Sequence, residues 1–310
     1  MNPMRGLLLA GAQSAWLRRQ ATQRAFVRRA VSRFMPGESL DDALRVSETL
    51  RASGRGVILT NLGENVVERA EADAVARHYC EVLDRLQGMT LDAEVSVKLT
   101  QLGLDVSPDI AYQHLQCIAA RARQHGSRLW IDMESTAYTE ATLQLYRRAR
   151  AADLSVGVAL QAYLRRTRAD LESLIPLGCA VRLVKGAYDE PADLAFRDKA
   201  EVDESFFQLA NRLLDARARE AGAWLTVGTH DARLVRRIEE TAATAGCPKD
   251  GFEFAMLYGI GRPEQVRLTR AGYRLRVLIS YGAYWFPWYM RRLAERPANV
   301  LFVLKHMVGG

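Results

Sequence analysis

Cysteine is scarce in this sequence, and what there is lies scattered. Cys80, Cys117, Cys179 and Cys247 are the only four in 310 residues, with no Cys-x-x-Cys among them. A disulfide-stapled fold and a thiolate metal site are disfavoured, and inert thiols in a reducing compartment are expected. Long apolar runs are missing too. Stretches such as 7–10 and 56–59 fall far short of the roughly 18 residues that a spanning helix needs, so no membrane crossing is expected. No His-Glu-x-x-His or paired His/Asp cluster offers a metal site, and no Gly-x-x-x-x-Gly-Lys-Ser/Thr loop offers an NTPase cradle. His78, His114 and His125 sit among Arg and Glu in helix-like stretches and are expected to be solvated.

Acidic residues are absent from positions 1–37, which carry Arg5, Arg18, Arg19, Arg24, Arg28, Arg29 and Arg33. The net charge of +7 resides there, because the remaining residues hold 36 basic and 36 acidic side chains. Such a segment suits a cleaved presequence, a contact with anionic lipid or nucleic acid, or an amphipathic arm docked through Leu17, Phe26, Val27, Val31 and Phe34. The stop signal Phe34-Met35-Pro36-Gly37 favours the docked arm.

From position 39 the pattern becomes regular. Ser39-Leu40-Asp41-Asp42 reads as a capped helix start. Apolar, β-branched runs then recur at 56–60, 93–99, 128–133, 155–161, 179–184, 224–228, 252–256 and 275–279. Segments of helical period fall between them at 64–87, 110–125, 140–152, 168–174, 204–221, 231–245 and 263–271, with a last helix at 284–295. Strand alternating with helix means parallel pairing through crossover helices. Eight repeats without a linker predict one distorted (β/α)8 TIM-like barrel over 54–310, preceded by a helical arm over 1–53. A doubly wound dinucleotide fold is second best. The first strand runs into Asn61-Leu62-Gly63-Glu64-Asn65, not a Gly-x-Gly-x-x-Gly turn, and Tyr258-Gly259-Ile260-Gly261-Arg262 lacks the third glycine.

In a barrel the chemistry sits where strands end. Those ends are unusually polar: Asn61 and Glu64, Lys98, Asp132 and Glu134, Gln161, Arg182 and Lys185, Thr229-His230-Asp231, Leu257-Tyr258 and Tyr281, with Arg291 and Arg292 just beyond. Such a ring suits an anionic ligand with polar edges. Arg182 between Val181 and Leu183 needs a partner if it is buried, and Asp132 is the natural one.

Several of these motifs, in order, resemble one family. Val95-Ser96-Val97-Lys98-Leu99-Thr100-Gln101-Leu102-Gly103, Asp132-Met133-Glu134, Val181-Arg182-Leu183-Val184-Lys185-Gly186-Ala187-Tyr188, Thr229-His230-Asp231, Phe252-Glu253-Phe254-Ala255-Met256-Leu257-Tyr258-Gly259 and Tyr281-Gly282, followed by Arg291-Arg292-Leu293-Ala294-Glu295-Arg296, are similar to proline dehydrogenases of the short, monofunctional bacterial type. The resemblance implies a noncovalent FAD and oxidation of L-proline to Δ1-pyrroline-5-carboxylate by hydride transfer to flavin N5. It also implies electrons passed to a membrane quinone, a cytoplasmic protein touching the inner face of the cell membrane, and no nucleic-acid partner. By resemblance, Arg182 and Asp132 are catalytic. Lys98, Tyr188, Leu257, Tyr281, Trp288, Arg291 and Arg292 bind the substrate, and Glu64 pairs with Arg291 as a gate. Met133, Gln161, Arg182, Val184, Lys185, Gly186, Ala187, Thr229, His230 and Glu295 contact the cofactor. Trp288 is a departure, since the family pattern has tyrosine there. One rival enzyme remains on the residues alone, a Schiff-base aldolase using Lys98 or Lys185. A non-enzymatic binding protein resting on the basic arm is the other rival.

Overall fold

In the computed structural model of the protein, which describes residues 31–286, eight parallel strands close into one barrel in sequence order, with β8 returning to pair with β1. After helix α1 (Leu40–Arg51) come β1 (Gly56–Asn61), α2 (Arg69–Gln87), β2 (Ala93–Val97), α3 (Pro108–Gln124), β3 (Leu129–Ile131), α4 (Thr136–Ala151), β4 (Val156–Gln161) and α5 (Thr167–Leu174). They are followed by β5 (Ala180–Val184), α6 (Lys199–Leu214), α7 (Ala216–Glu220), β6 (Trp224–Gly228), α8 (Ala232–Thr244), β7 (Glu253–Leu257), α9 (Arg262–Arg270) and β8 (Arg274–Tyr281). The expected barrel is the observed one.

Local chemistry explains where the boundaries moved. Ser39 caps α1 as expected, its hydroxyl accepting from the Asp42 N–H at 3.1 Å. The helix expected from 64 begins only at Arg69. Asn65 sits at φ 57°, and its N–H donates to Thr100 Oγ1 at 3.0 Å while Val66 N–H donates to Thr100 O at 3.0 Å. That pins 64–68 as a loop over the barrel mouth. The helix expected at 204 starts earlier, because Asp198 accepts from the Ala200 and Glu201 amides. It then breaks at Asp215, which caps α7 through Arg217 N–H at 2.9 Å. The final helix expected at 284–295 lies largely outside the described residues, as does most of the 1–53 arm.

Strand alternation sorts the side chains into two compartments. Val57, Leu59, Val95, Val97, Ile131, Val158, Val181, Leu183, Val227, Phe254, Val277 and Ile279 face the helices and form the main core with Leu83, Leu115, Phe206 and Ile238. The lumen holds an apolar plug of Ile58, Trp130 and Ala180, flanked by Trp224 and Leu278. Trp130 fits because β4 presents Gly157, where an added Cβ would lie 2.5 Å from the indole. Toward the strand starts, Arg276 is buried with its Nε 2.9 Å from Glu253 and 3.2 Å from Glu94, and Trp130 Nε1 donates to Glu94 at 2.5 Å. Each of these buried charges is matched, as burial requires.

The three histidines are not simply solvated. His78 Nε2 lies 2.8 Å from the Tyr281 hydroxyl, His114 bridges Leu102 O and Asp73 at 2.8 and 2.9 Å, and the His125 side chain is only 7% exposed. Each covers a joint that α2 or α3 makes with its neighbours, and helical period cannot reveal such a joint.

Candidate active site at the barrel mouth

The upper lumen is built from alternate residues of neighbouring strands. Ser96 on β2, Asp132 just past β3 and Arg182 on β5 converge on one point. Arg182 is 4% exposed, and its Nη2 donates to Asp132 Oδ1 and, at 3.0 Å, to Ser96 Oγ. Ser96 Oγ in turn donates to Asp132 Oδ1 at 2.7 Å. The guanidinium carbon stands 5.3 Å from the centroid of the Trp130 ring. Arg182 Nη1 has no partner among the described residues, although it is buried. A buried guanidinium nitrogen without an acceptor is costly, so the site is poised to receive one from beyond the described residues.

Around this centre the strand ends supply further polar groups. Lys98 Nζ donates to Glu64 Oε2 at 2.7 Å, with both side chains largely covered. Glu134 accepts from Thr100 N and Oγ1 at 3.1 and 2.6 Å, and burial pushes its carboxyl above the ordinary range against the effect of those bonds. Gln161 Nε2 donates to Glu134 O at 2.8 Å, and its Oε1 faces the Ala187 N–H at 3.4 Å. Lys185 is held by Asp203 at 2.5 Å and Asp231 at 3.1 Å. Burial opposes ionisation of Asp231, but its pairs with Lys185 and Lys199 outweigh that and bring its pKa down to about 2. His230 Nε2 accepts from Leu257 N–H at 2.9 Å, leaving Nδ1 as the protonated nitrogen of the neutral ring. Thr229 Oγ1 accepts from Asp231 N–H at 3.2 Å. Gly228 lets β6 pack closely on β5, since a Cβ there would lie 2.8 Å from Leu183 O and from Val184 Cγ1. Gly186, at φ 123°, lies against the Tyr163 ring, and Tyr188 is half-buried on the following loop.

Most of the residues expected at the site therefore do meet at the mouth: Lys98, Asp132, Gln161, Arg182, Val184, Lys185, Gly186, Ala187, Thr229, His230 and Leu257, with Glu64 above them. Tyr281 does not. Its ring is 1% exposed in the layer between β8 and α2, bonded to His78, and it faces away from the lumen. One residue along a strand reverses the face, so Ser280 is the lumen position there. The Met133 side chain is likewise buried in the strand–helix core. Trp288, Arg291, Arg292 and Glu295 lie outside the described residues. Sequence reasoning missed Ser96 as the third member of the Asp132–Arg182 cluster and Asp203 as a partner of Lys185. Period-two alternation along β2 would have put Ser96 on the same face as Lys98. Nothing local marks Asp203.

The proline dehydrogenase family profile matches residues 43–305, and proline dehydrogenase 1 of Bacillus subtilis subsp. natto is 38% identical over 88% of this chain and 89% of its own length. The chain belongs to the proline dehydrogenase family. It is thus a member of an oxidoreductase family, and the short members are similar to it nearly end to end. The Deinococcus radiodurans proline dehydrogenase is 34% identical over 90% of each chain. Among solved structures, proline utilization A (PutA) from Bdellovibrio bacteriovorus, inactivated by N-propargylglycine, superposes with a TM-score of 0.79 at 25% identity over 86% of this chain. This chain spans only 32% of that longer protein. The bifunctional PutA of Escherichia coli is 27% identical over 87% of this chain, which covers 23% of it. Family membership also leaves the aldolase reading without support, and both lysines it would need are engaged by carboxylates.

Proposed function

We propose that this chain is an FAD-dependent L-proline dehydrogenase that oxidises L-proline to Δ1-pyrroline-5-carboxylate, the first step of proline catabolism, and passes the electrons to a membrane quinone. The observation that carries the reading is Arg182 Nη1, a buried cationic donor with no acceptor among the described residues, pinned from behind by Asp132 and Ser96. This donor set fits a flavin. A fixed positive charge favours an electron-rich ring system, and the Gln161 amide and the Ala187 N–H supply polar groups near it. When bound, FAD would supply the hydride acceptor at N5.

The roles of the chain's own residues follow from their chemistry. Arg182 would donate toward the flavin, while Asp132 and Ser96 hold its guanidinium in one orientation on Trp130. Gln161, Lys185, Gly186, Ala187, Thr229 and His230 would hold the cofactor, with Met133 and Val184 contributing backbone and Glu295 completing the set. Lys98 with the forked Arg291 and Arg292 would bind the proline carboxylate. Leu257, Tyr188 and Trp288 would enclose the pyrrolidine ring and keep water from it. Glu64 now neutralises Lys98. A substrate carboxylate taking that ammonium would free Glu64 to pair with Arg291 as a gate. The division into an arm over 1–53 and a barrel over 54–310 belongs to the same proposal. So does a cytoplasmic location with peripheral contact at the inner face of the cell membrane, where a lipid-dissolved acceptor can be reached.

Denaturing the purified protein should release about one FAD per chain, and L-proline should drive reduction of a soluble quinone analogue. A flavin-free protein that cannot be reconstituted would overturn the reading.

A further inference from the structure

Two cysteines far apart in sequence meet on the outside of the barrel. Cys80 on α2 and Cys117 on α3 are 37 residues apart, yet their sulfurs lie 3.7 Å from each other. Cys80 is half-buried in the groove between the helices and Cys117 is exposed, whereas Cys179 and Cys247 are buried elsewhere. Arg121 and His125, at the end of α3, both face Asp84 on α2, at 3.2 and 3.6 Å, so charged groups frame the pair. We propose that Cys80 and Cys117 form a redox-active dithiol that a peroxide converts into an intramolecular disulfide joining α2 to α3.

The geometry supports closure. A disulfide needs a sulfur separation of about 2.05 Å, so the two atoms must approach by roughly 1.7 Å, within reach of side-chain rotation about Cα–Cβ. The chemistry balances. The Cys117 sulfur attacks one peroxide oxygen, the O–O bond breaks, and one water leaves behind a sulfenic acid. The Cys80 sulfur then attacks Cys117, the S–O bond breaks, and a second water leaves. The two thiols lose two protons and two electrons, and hydrogen peroxide is reduced to two waters. Exposure makes Cys117 the first nucleophile. Burial first, then the neighbouring Cys117, pushes the Cys80 thiol up to about 12, which keeps it protonated and leaves the first attack to Cys117.

The bridge would reach the framework of the mouth. Tyr79, next to Cys80, donates its hydroxyl to Ser96 O at 2.9 Å and accepts from Asn61 N–H at 3.0 Å. Joining α2 to α3 therefore braces the ends of β1 and β2. It also closes a long loop, which lowers the entropy of the unfolded chain.

The full-length protein, purified with reductant and then freed of it, is treated with hydrogen peroxide. Intact mass should fall by about 2 Da, and thiols titrated after denaturation should drop from four to two. A tryptic peptide pair linking Cys80 to Cys117 should appear, and Tm should rise by several degrees until reductant is restored. Cys80→Ser and Cys117→Ser should each abolish the mass loss, and their unchanged melting under reductant would show that they fold. Oxygen added at Cys117 in place of the mass loss, a bridge to Cys179 or Cys247, covalent dimers, or four persisting thiols would each overturn the proposal.

Discussion

Arg182 is held by two neighbours and leaves one nitrogen over, and that imbalance is the main chemical fact at the mouth. Substituting Arg182→Met keeps the volume of the side chain and removes the donor. Turnover with proline should fall about 10²- to 10³-fold, the usual cost of losing one preorganised donor at a developing charge. Steady-state kinetics of a variant that melts normally would check this, and turnover within about twofold of the parent would remove Arg182 from the chemistry. Asp231 permits a cleaner electrostatic test. Asp231→Asn keeps an acceptor for the Arg233 N–H and deletes the charge that faces Lys185 and Lys199. Because its folded pKa is depressed from 3.8 to about 2, its charge stabilises the fold above the ordinary carboxylate range, and that benefit disappears as pH falls through about 2. The variant should be less stable by about 1–2 kcal/mol at pH 7, with the gap narrowing below about pH 4. Urea denaturation at several pH values measures it, and a gap constant with pH would contradict the assignment.

Among the elements, β4 shows how one residue shapes the lumen. Gly157 gives Trp130 its place, and Trp130 in turn underlies Arg182. Gly157→Ala should cost about 1–3 kcal/mol through overpacking and lower turnover by displacing the indole. A variant with unchanged Tm and unchanged kinetics would show that the plug is looser than described. The elements were also the level at which the sequence was most legible. Runs such as 224–228 matched their strand end to end, and Ser39 announced α1, because caps and alternation are local signals. Legibility failed where a distant partner decides the outcome. Glu190 accepts from Thr136 N and Oγ1 at 2.8 and 2.5 Å, far along the chain, and with it α4 begins before the position its period suggested. Tyr281 ends a strand correctly placed in the sequence, yet which face it takes depends on β8 register against β1, where Asn61 pairs with Tyr281.

At the scale of the whole molecule, the barrel was readable from eight repeats, and the ring of polar strand ends was readable from the barrel. What fills the lumen was not, because Glu94, Trp130, Glu253 and Arg276 are brought together only by closure of the sheet. The proposed transfer of electrons to a membrane quinone requires reaching an acceptor that dissolves in lipid. Among the described residues no helix is long and apolar enough to cross a membrane. The seven arginines of positions 1–37 offer an electrostatic route to an anionic surface instead. The protein should float with anionic vesicles at low salt and release at high salt, and no binding with or without proline would count against a peripheral contact. The most direct test of the central claim is an absorbance spectrum of the purified protein before and after anaerobic addition of L-proline. Flavin bands that bleach with proline are the predicted result. Flavin bands that proline leaves untouched, or a colourless protein that will not take up FAD, would contradict it.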